Sequence, residues 1–172
     1  MAHRLLDVLI IYKTSKIPLP TATVYLRGKG PSVDIPGTNC GFFAYPVITM
    51  AALDCRRSLQ FFGLTRHPNK HCLTPIGNRR ANDLGIENFG LPRVTPAQLI
   101  QVVSTLISVP PEPILTELYE WSSKQIAHFT TSQPIVSYQS IRDASIAMIE
   151  AYNRFLFDAL GRPRPTINPS PT

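Results

Sequence analysis

The sequence predicts an all-α domain, a bundle of about five helices with one long irregular connection. Two observations predict it. Apolar residues recur at spacings of three and four over most of the chain, the signature of buried helical stripes. The 17 prolines in 172 residues, about twice the ~5% average, fall between those stripes and punctuate them. The expected organisation is a single helical domain over 1–161, in which 65–94 form a long basic loop, followed by a Pro-rich flexible tail over 162–172.

The first apolar stretch, Leu5 to Tyr12, is nearly continuous and is stopped by Lys13 to Lys16 and then Pro18 and Pro20. It reads as a short buried helix. Asp7 interrupts the run and no small-residue cleavage site follows, so a signal peptide is not expected. Residues 21–40 hold three glycines and two prolines around one β-prone patch, Thr23 to Leu26, which predicts a loop with one short strand. From Gly41 to Leu64 the positions Phe43, Val47, Met50, Ala51, Asp54, Ser58 and Phe61 mark one helical stripe, with Pro46 in its first turns and Gly63 at its end.

Residues 65–94 show no period and contain Pro68, Pro75, Gly77, Gly85, Gly90 and Pro92. Thr95-Pro96 then supplies an N-cap and a first-turn proline for a helix carrying Leu99, Val102, Val103, Leu106 and Ile107 as far as Pro110. After Pro110-Pro111 a further helix holds Ile114, Leu115, Leu118, Trp121 and Gln125, with Glu112 in its first turn, and fades near Thr130. Ser137 or Ser140 caps the last helix. Its stripe of Ile141, Ser145, Met148, Tyr152, Phe155, Leu156 and Ala159 faces inward, Asp143, Glu150, Arg154 and Asp158 face water, and Gly161 ends it.

Composition sets bounds on what such a bundle can be. At this length a domain buries roughly 70% of its unfolded surface, so neither metal nor disulfide is needed to hold it. Charged residues make up 16%, too few for a coiled coil, and the 44% apolar content is too high for a wholly disordered chain. The longest apolar runs, such as Val8 to Tyr12, are far below the ~20 residues that cross a bilayer. Cys40, Cys55 and Cys72 are odd in number and widely spaced, which fits reduced thiols in a cytoplasmic protein rather than a disulfide framework. Gly-rich phosphate loops, H-E-x-x-H, G-x-S-x-G and paired-carboxylate motifs are missing, so nucleotide kinases, zincins, serine hydrolases of that type and most glycosidases are excluded. No cofactor is expected.

Chemistry is most legible between Tyr119 and Thr131. Lys124 and His128 stand four apart, so a helix puts an ammonium and an imidazole on one face, with Trp121 along the same line. Such a pair can neutralise a phosphodiester oxyanion and move its proton. A plainer reading competes. Glu120 lies four residues before Lys124, an ordinary helical ion pair, and a His near a helix end can bond a carbonyl.

The lettering SSKQIAHFT at 122–130 resembles the "RNKxxAHxT" region of HEPN-domain proteins, particularly their abortive-infection branch. The arrangement around it is similar too: a long helix with FFAYPVITMAALDCRRSLQFFGL at 42–64, a variable insert, a shorter helix, the motif helix and a final amphipathic helix. The resemblance spans residues 40–160, and its specific part is KxxAHxT. It implies a small all-α bundle, a homodimer, and an RNA-cleaving site of metal-independent ribonucleases or toxins formed where two motif copies meet. By that resemblance His128 is the general acid or base acting on the ribose 2'-hydroxyl and Lys124 contacts the phosphate. The family's Arg falls four to six residues before the His, at Ser123, Ser122 or Trp121 here, so the Arg is replaced. That departure implies either a binding-only version or a phosphate contact supplied from elsewhere.

A second Arg, four residues, His spacing lies in the connection, at Arg66 and His71, although Pro68 disfavours a helix between them. His67, His71 and Cys72, even with Cys55, match no standard metal-site spacing, and no metal is expected. The charge there carries further. Arg56, Arg57, Arg66, Lys70, Arg79 and Arg80, with His67 and His71, occupy Cys55 to Asn82 without one Asp or Glu, inside a chain of formal charge +6. Such a run attracts phosphates, and Phe61, Phe62 and Tyr45 are candidate stacking surfaces. Asp54 is expected to pair with Arg57 at i+3. The function expected is RNA engagement in a defence or toxin setting, with an antitoxin or other protein as further partner; the alternative is a non-catalytic helical binding module using its basic loop.

Overall fold

The computed structural model describes residues 21–24, 33–36, 40–107, 109–127 and 137–165. The expected helix at Leu5 to Tyr12, His128, and residues 166–172 of the tail lie outside them. The chain divides at Met50 into two units, Met1–Met50 and Ala51–Thr172. In the first, β1 (Thr21–Val24) and β2 (Val33–Pro36) form an antiparallel hairpin with Thr21 opposite Pro36 and Val24 opposite Val33. The expectation of one strand at Thr23 to Leu26 is thus corrected to a pair, the first strand beginning two residues earlier.

The rest is mostly helical. After α1 (Cys40–Phe62) come β3 (Leu64–Arg66), β4 (Leu73–Pro75), a 3-10 turn at Ile86–Phe89, α2 (Pro96–Val103), α3 (Pro111–Ala127), α4 (Tyr138–Tyr152) and a π-turn at Asn153–Phe157. Four α-helices stand where four of the five expected ones fall among the described residues, and two small hairpins make the fold mostly helical rather than all-α. β3 and β4 pair antiparallel, Thr65 opposite Thr74, inside the stretch read as an irregular loop. Strands of three residues leave no readable period, and the six-residue loop between them lacks a two-residue turn signal. None of the described helices is long and apolar enough to cross a membrane.

Local chemistry explains the helix ends. Gly63 follows α1 with φ +88°, a left-handed conformation that closes the helix as its N–H reaches Gln60 O at 3.0 Å. Thr95 caps α2 reciprocally with Gln98, and Pro96 takes the first turn, where its missing N–H is not needed. The helix ends at Val103, seven residues before the proline expected to stop it. Ser137, rather than Ser140, caps α4: its Oγ accepts from the Ser140 N–H at 3.0 Å. Beyond α4 the helix widens into the π-turn, and Gly161 ends it at φ +61°. The first tail residues are tied down. Arg164 Nε donates to Asp158 Oδ1 at 2.8 Å and its Nη1 lies 3.4 Å from Glu150 Oε1, so 162–165 are not the free tail expected.

The core of the second unit comes from one face of each helix. Leu59 and Phe62 of α1, Leu64 of β3, Leu99 and Val103 of α2, Leu115 and Leu118 of α3, and Ile141 of α4 are almost wholly buried. Each large side chain so buried stabilises the fold by about 1.5–3 kcal/mol. The α1 stripe keeps Ala51 and Ser58 of the expected one and otherwise differs. Ala51, Ala52, Cys55, Ser58, Leu59 and Phe62 turn inward, whereas Met50 is 42% exposed. Small residues let α1 pack closely, and the larger Met50 carries the outward side. Asp143, expected to face water, is 7% exposed and accepts from Gln139 Nε2 at 2.7 Å. Phe62 and Tyr152 meet at 4.8 Å between ring centroids, Phe61 and Phe89 at 5.8 Å edge to face. Phe61 and Phe62 therefore serve packing, and Phe62 is closed to a stacking base.

Candidate nucleic-acid interface

The hairpin β3–β4 projects the basic loop on a short, braced frame. The His67 N–H bonds Cys72 O at 2.9 Å, and the Asn69 N–H bonds His67 Nδ1 at 3.1 Å, so the loop closes on itself. Glu112, in the first turn of α3, accepts the Leu73 N–H at 2.8 Å and pins the returning strand. Pro68, Asn69, Lys70 and His71 remain exposed at the tip.

Beside this loop, Glu120 of α3 gathers cations from two elements. Its Oε1 lies 2.6 Å from Lys124 Nζ, the expected i,i+4 pair, and its Oε2 lies 3.1 Å from Arg66 Nη2 on the hairpin. The three side chains are 23%, 45% and 18% exposed respectively. The Lys124 hydrogen bond, against the opposing effect of burial and aided by the charges of Arg66, Lys124 and His71, holds the Glu120 carboxyl below the ordinary Glu range. One turn of chemistry away, the Tyr119 hydroxyl oxygen accepts from Gln60 Nε2 at 3.1 Å and Thr65 Oγ1 at 3.0 Å, joining α1, β3 and α3. The Arg56 guanidinium carbon sits 5.4 Å from the Tyr119 ring centroid. The Nε atoms of Arg56 and Arg66 are buried without a hydrogen-bond partner.

The remaining basic residues separate into two kinds. Arg79 is 9% exposed and faces inward: Nε donates to Glu87 Oε1 at 2.7 Å, and Nη2 donates to Gln60 O and, at 3.0 Å, to Phe61 O. These are final carbonyls of α1, where a positive charge meets the negative helix end. Arg93 Nε donates to the same Glu87 oxygen, Oε1, at 2.8 Å. Burial alone would raise the Glu87 pKa, yet its own backbone N–H, Arg79 and Arg93 together hold it low. Arg79 is therefore a brace of the fold, unlike its sequence neighbour Arg80, which is exposed. Arg57 is 65% exposed and reaches Asp54 only at 3.9 Å. Lys70 and Arg80 form no ion pair among the described residues.

Of the catalytic candidates, Lys124 is paired and His128 lies outside the described residues. Trp121 and Ser122, two of the three positions where the family resemblance would put an Arg, are 6% and 0% exposed. Ser122 turns its hydroxyl onto Tyr119 O at 2.9 Å, and a guanidinium there would enter the core. No group of three or more His, Cys, Asp or Glu able to hold a metal occurs among the described residues. Cys55 is buried, which pushes its thiol up to about 12. Sequence reasoning found the Glu120–Lys124 pair but missed Arg66 as second partner, because 54 residues separate them and only the hairpin brings them together. No family model, curated protein or solved structure matches the chain.

Proposed function

We propose that the chain binds RNA through the β3–β4 hairpin and the adjoining turn of α3, as a helical binding module. The observation that supports this most is the meeting of Arg66 and Lys124 at the single carboxylate of Glu120, beside a hairpin loop that exposes Lys70 and His71 and holds no acidic residue. Several cations on one face follow a phosphate backbone without reading its bases, and binding then weakens steeply with salt. Arg57 and Arg80 extend the positive surface, while Arg79 acts inside the fold. The test is fluorescence anisotropy with a labelled single-stranded RNA across a potassium chloride series. Lys70→Gln and Arg80→Gln should each weaken binding and reduce the salt slope by about 0.7. An unchanged slope in both would remove the hairpin from the binding surface.

The resemblance at 122–130 favours a second reading, a metal-independent ribonuclease of the HEPN type, dimeric and acting in a cytoplasmic defence or toxin system with a protein antitoxin. His128 then moves the proton and Lys124 holds the phosphate. Glu120, which holds Lys124, and the buried Ser122 favour binding without cleavage. Incubation of total RNA with pure protein in EDTA, beside His128→Ala, separates the two: cleavage lost in the variant favours the nuclease, no cleavage the module.

A further inference from the structure

We infer that Glu120 is an internal counter-ion standing where an RNA phosphate sits, so that RNA binds by displacing this carboxylate from Arg66 and Lys124. The inference rests on the RNA-binding reading above and concerns how that site is controlled. One carboxylate oxygen faces an ammonium and the other a guanidinium, from two elements, an arrangement a phosphate group satisfies equally well.

Both contacts are exchangeable. Arg66 holds Glu120 through Nη2 alone, its Nη1 makes a 3.3 Å bond to Pro68 O, and its Nε has no partner. This is not the two-point fork that makes arginine–carboxylate pairs strong. Lys124 is 45% exposed, and an exposed pair of this kind contributes little net free energy, because water competes for both charges. Glu120 stays ionised at neutral pH, its carboxyl being held low, so the competing charge is always present. A solitary phosphate gains little by replacing it. A strand that also meets Lys70 and His71 gains contacts the carboxylate never makes, so the device favours chains of phosphates over single ones.

The test uses the full chain, a labelled oligo(U) single strand, and anisotropy over a potassium chloride series. Glu120→Gln removes the competitor and keeps the shape. It should bind up to about fivefold more tightly from release of the exposed Lys124 pair alone, with a salt slope steeper by up to about 0.7, one opposing charge having been removed. Lys124→Gln in the otherwise unchanged protein should lower the slope by about 0.7, as Lys70→Gln does, since in the complex each ammonium meets a phosphate. The second comparison stands even where Glu120→Gln disturbs the hairpin. A slope unchanged in Lys124→Gln but lowered in Lys70→Gln, or a folded Glu120→Gln that binds no more tightly, would overturn the inference and leave RNA binding intact. Failure of the wild-type protein and Glu120→Gln alike to bind at low salt removes both.

Discussion

Replacing Arg79 by Met separates fold from binding in a stretch where the sequence shows only positive charge. The substitution keeps the unbranched stem and removes the guanidinium. Four acceptors lose a charged donor: Glu87 Oε1, Gln60 O, Phe61 O and, weakly at 3.4 Å, Leu84 O. Hydrogen bonds to a charged group contribute about 1.5–3 kcal/mol each, so a plain sum over the three short ones is ~4.5–9 kcal/mol. Two features reduce it. Glu87 is 31% exposed and keeps Arg93 at 2.8 Å, so its carboxylate is not stranded. The carbonyls at the end of α1 can also take water as the 76–85 segment loosens. Against this, the helix end loses a favourable charge of about 0.3–1 kcal/mol. The net loss expected is about 2–4 kcal/mol, a large share of the ~5–15 kcal/mol that holds a typical domain.

Urea unfolding followed by circular dichroism measures that loss, and RNA anisotropy at full folding measures the other property. Arg79→Met should lower the unfolding midpoint and leave the salt slope of RNA binding unchanged. Arg80→Gln should do the reverse. A midpoint for Arg79→Met within ~0.5 kcal/mol of the wild type, or a lost unit of salt slope, would refute the assignment of Arg79 to the fold.

Two further outcomes follow from the same structure. Gly63→Ala should destabilise by about 1–2 kcal/mol, read as a lower thermal midpoint, because φ +88° disfavours any Cβ and the new methyl would meet Arg93 side-chain carbons at 3.0 Å. Glu87 and Glu120 have folded pKa values below the ordinary 4.5, so their stabilising effect is full above that value and is lost as pH falls through the lower folded values. Urea midpoints should therefore drop as pH descends below about 4.5, and Glu120→Gln should drop less over the same window; parallel curves would contradict the coupling.

Helices were legible where local chemistry decides them. Thr95-Pro96, Ser137, Gly63 and Gly161 act within a turn of their own position, and their caps and stops fall at the expected residues. The inward face of α1 was partly legible: Ala51 and Ser58 stood on the expected stripe, but Ala52 read weakly beside Met50, although close packing selects the small residue and leaves Met50 exposed. The hairpin β3–β4 was illegible. Its strands are three residues long, and what holds them lies elsewhere in sequence: Glu112 on the Leu73 N–H, and Tyr119 on Thr65.

The same separation in sequence governs the candidate site. Between Cys55 and Asn82 the sequence offers six Lys and Arg without an acid, and equal claims on a phosphate for all of them. Folding breaks that equality by delivering carboxylates from outside the stretch. Glu87 takes Arg79 into a buried brace, Glu120 holds Arg66 in reserve, and Lys70 and Arg80 stay in water. A charge that must leave water needs a partner, whereas one at a loop tip does not, so burial decides which cations brace the fold and which remain for a ligand. The electrostatic footprint is thus a property of the sequence, and tertiary contacts decide which of its cations are left without a carboxylate partner.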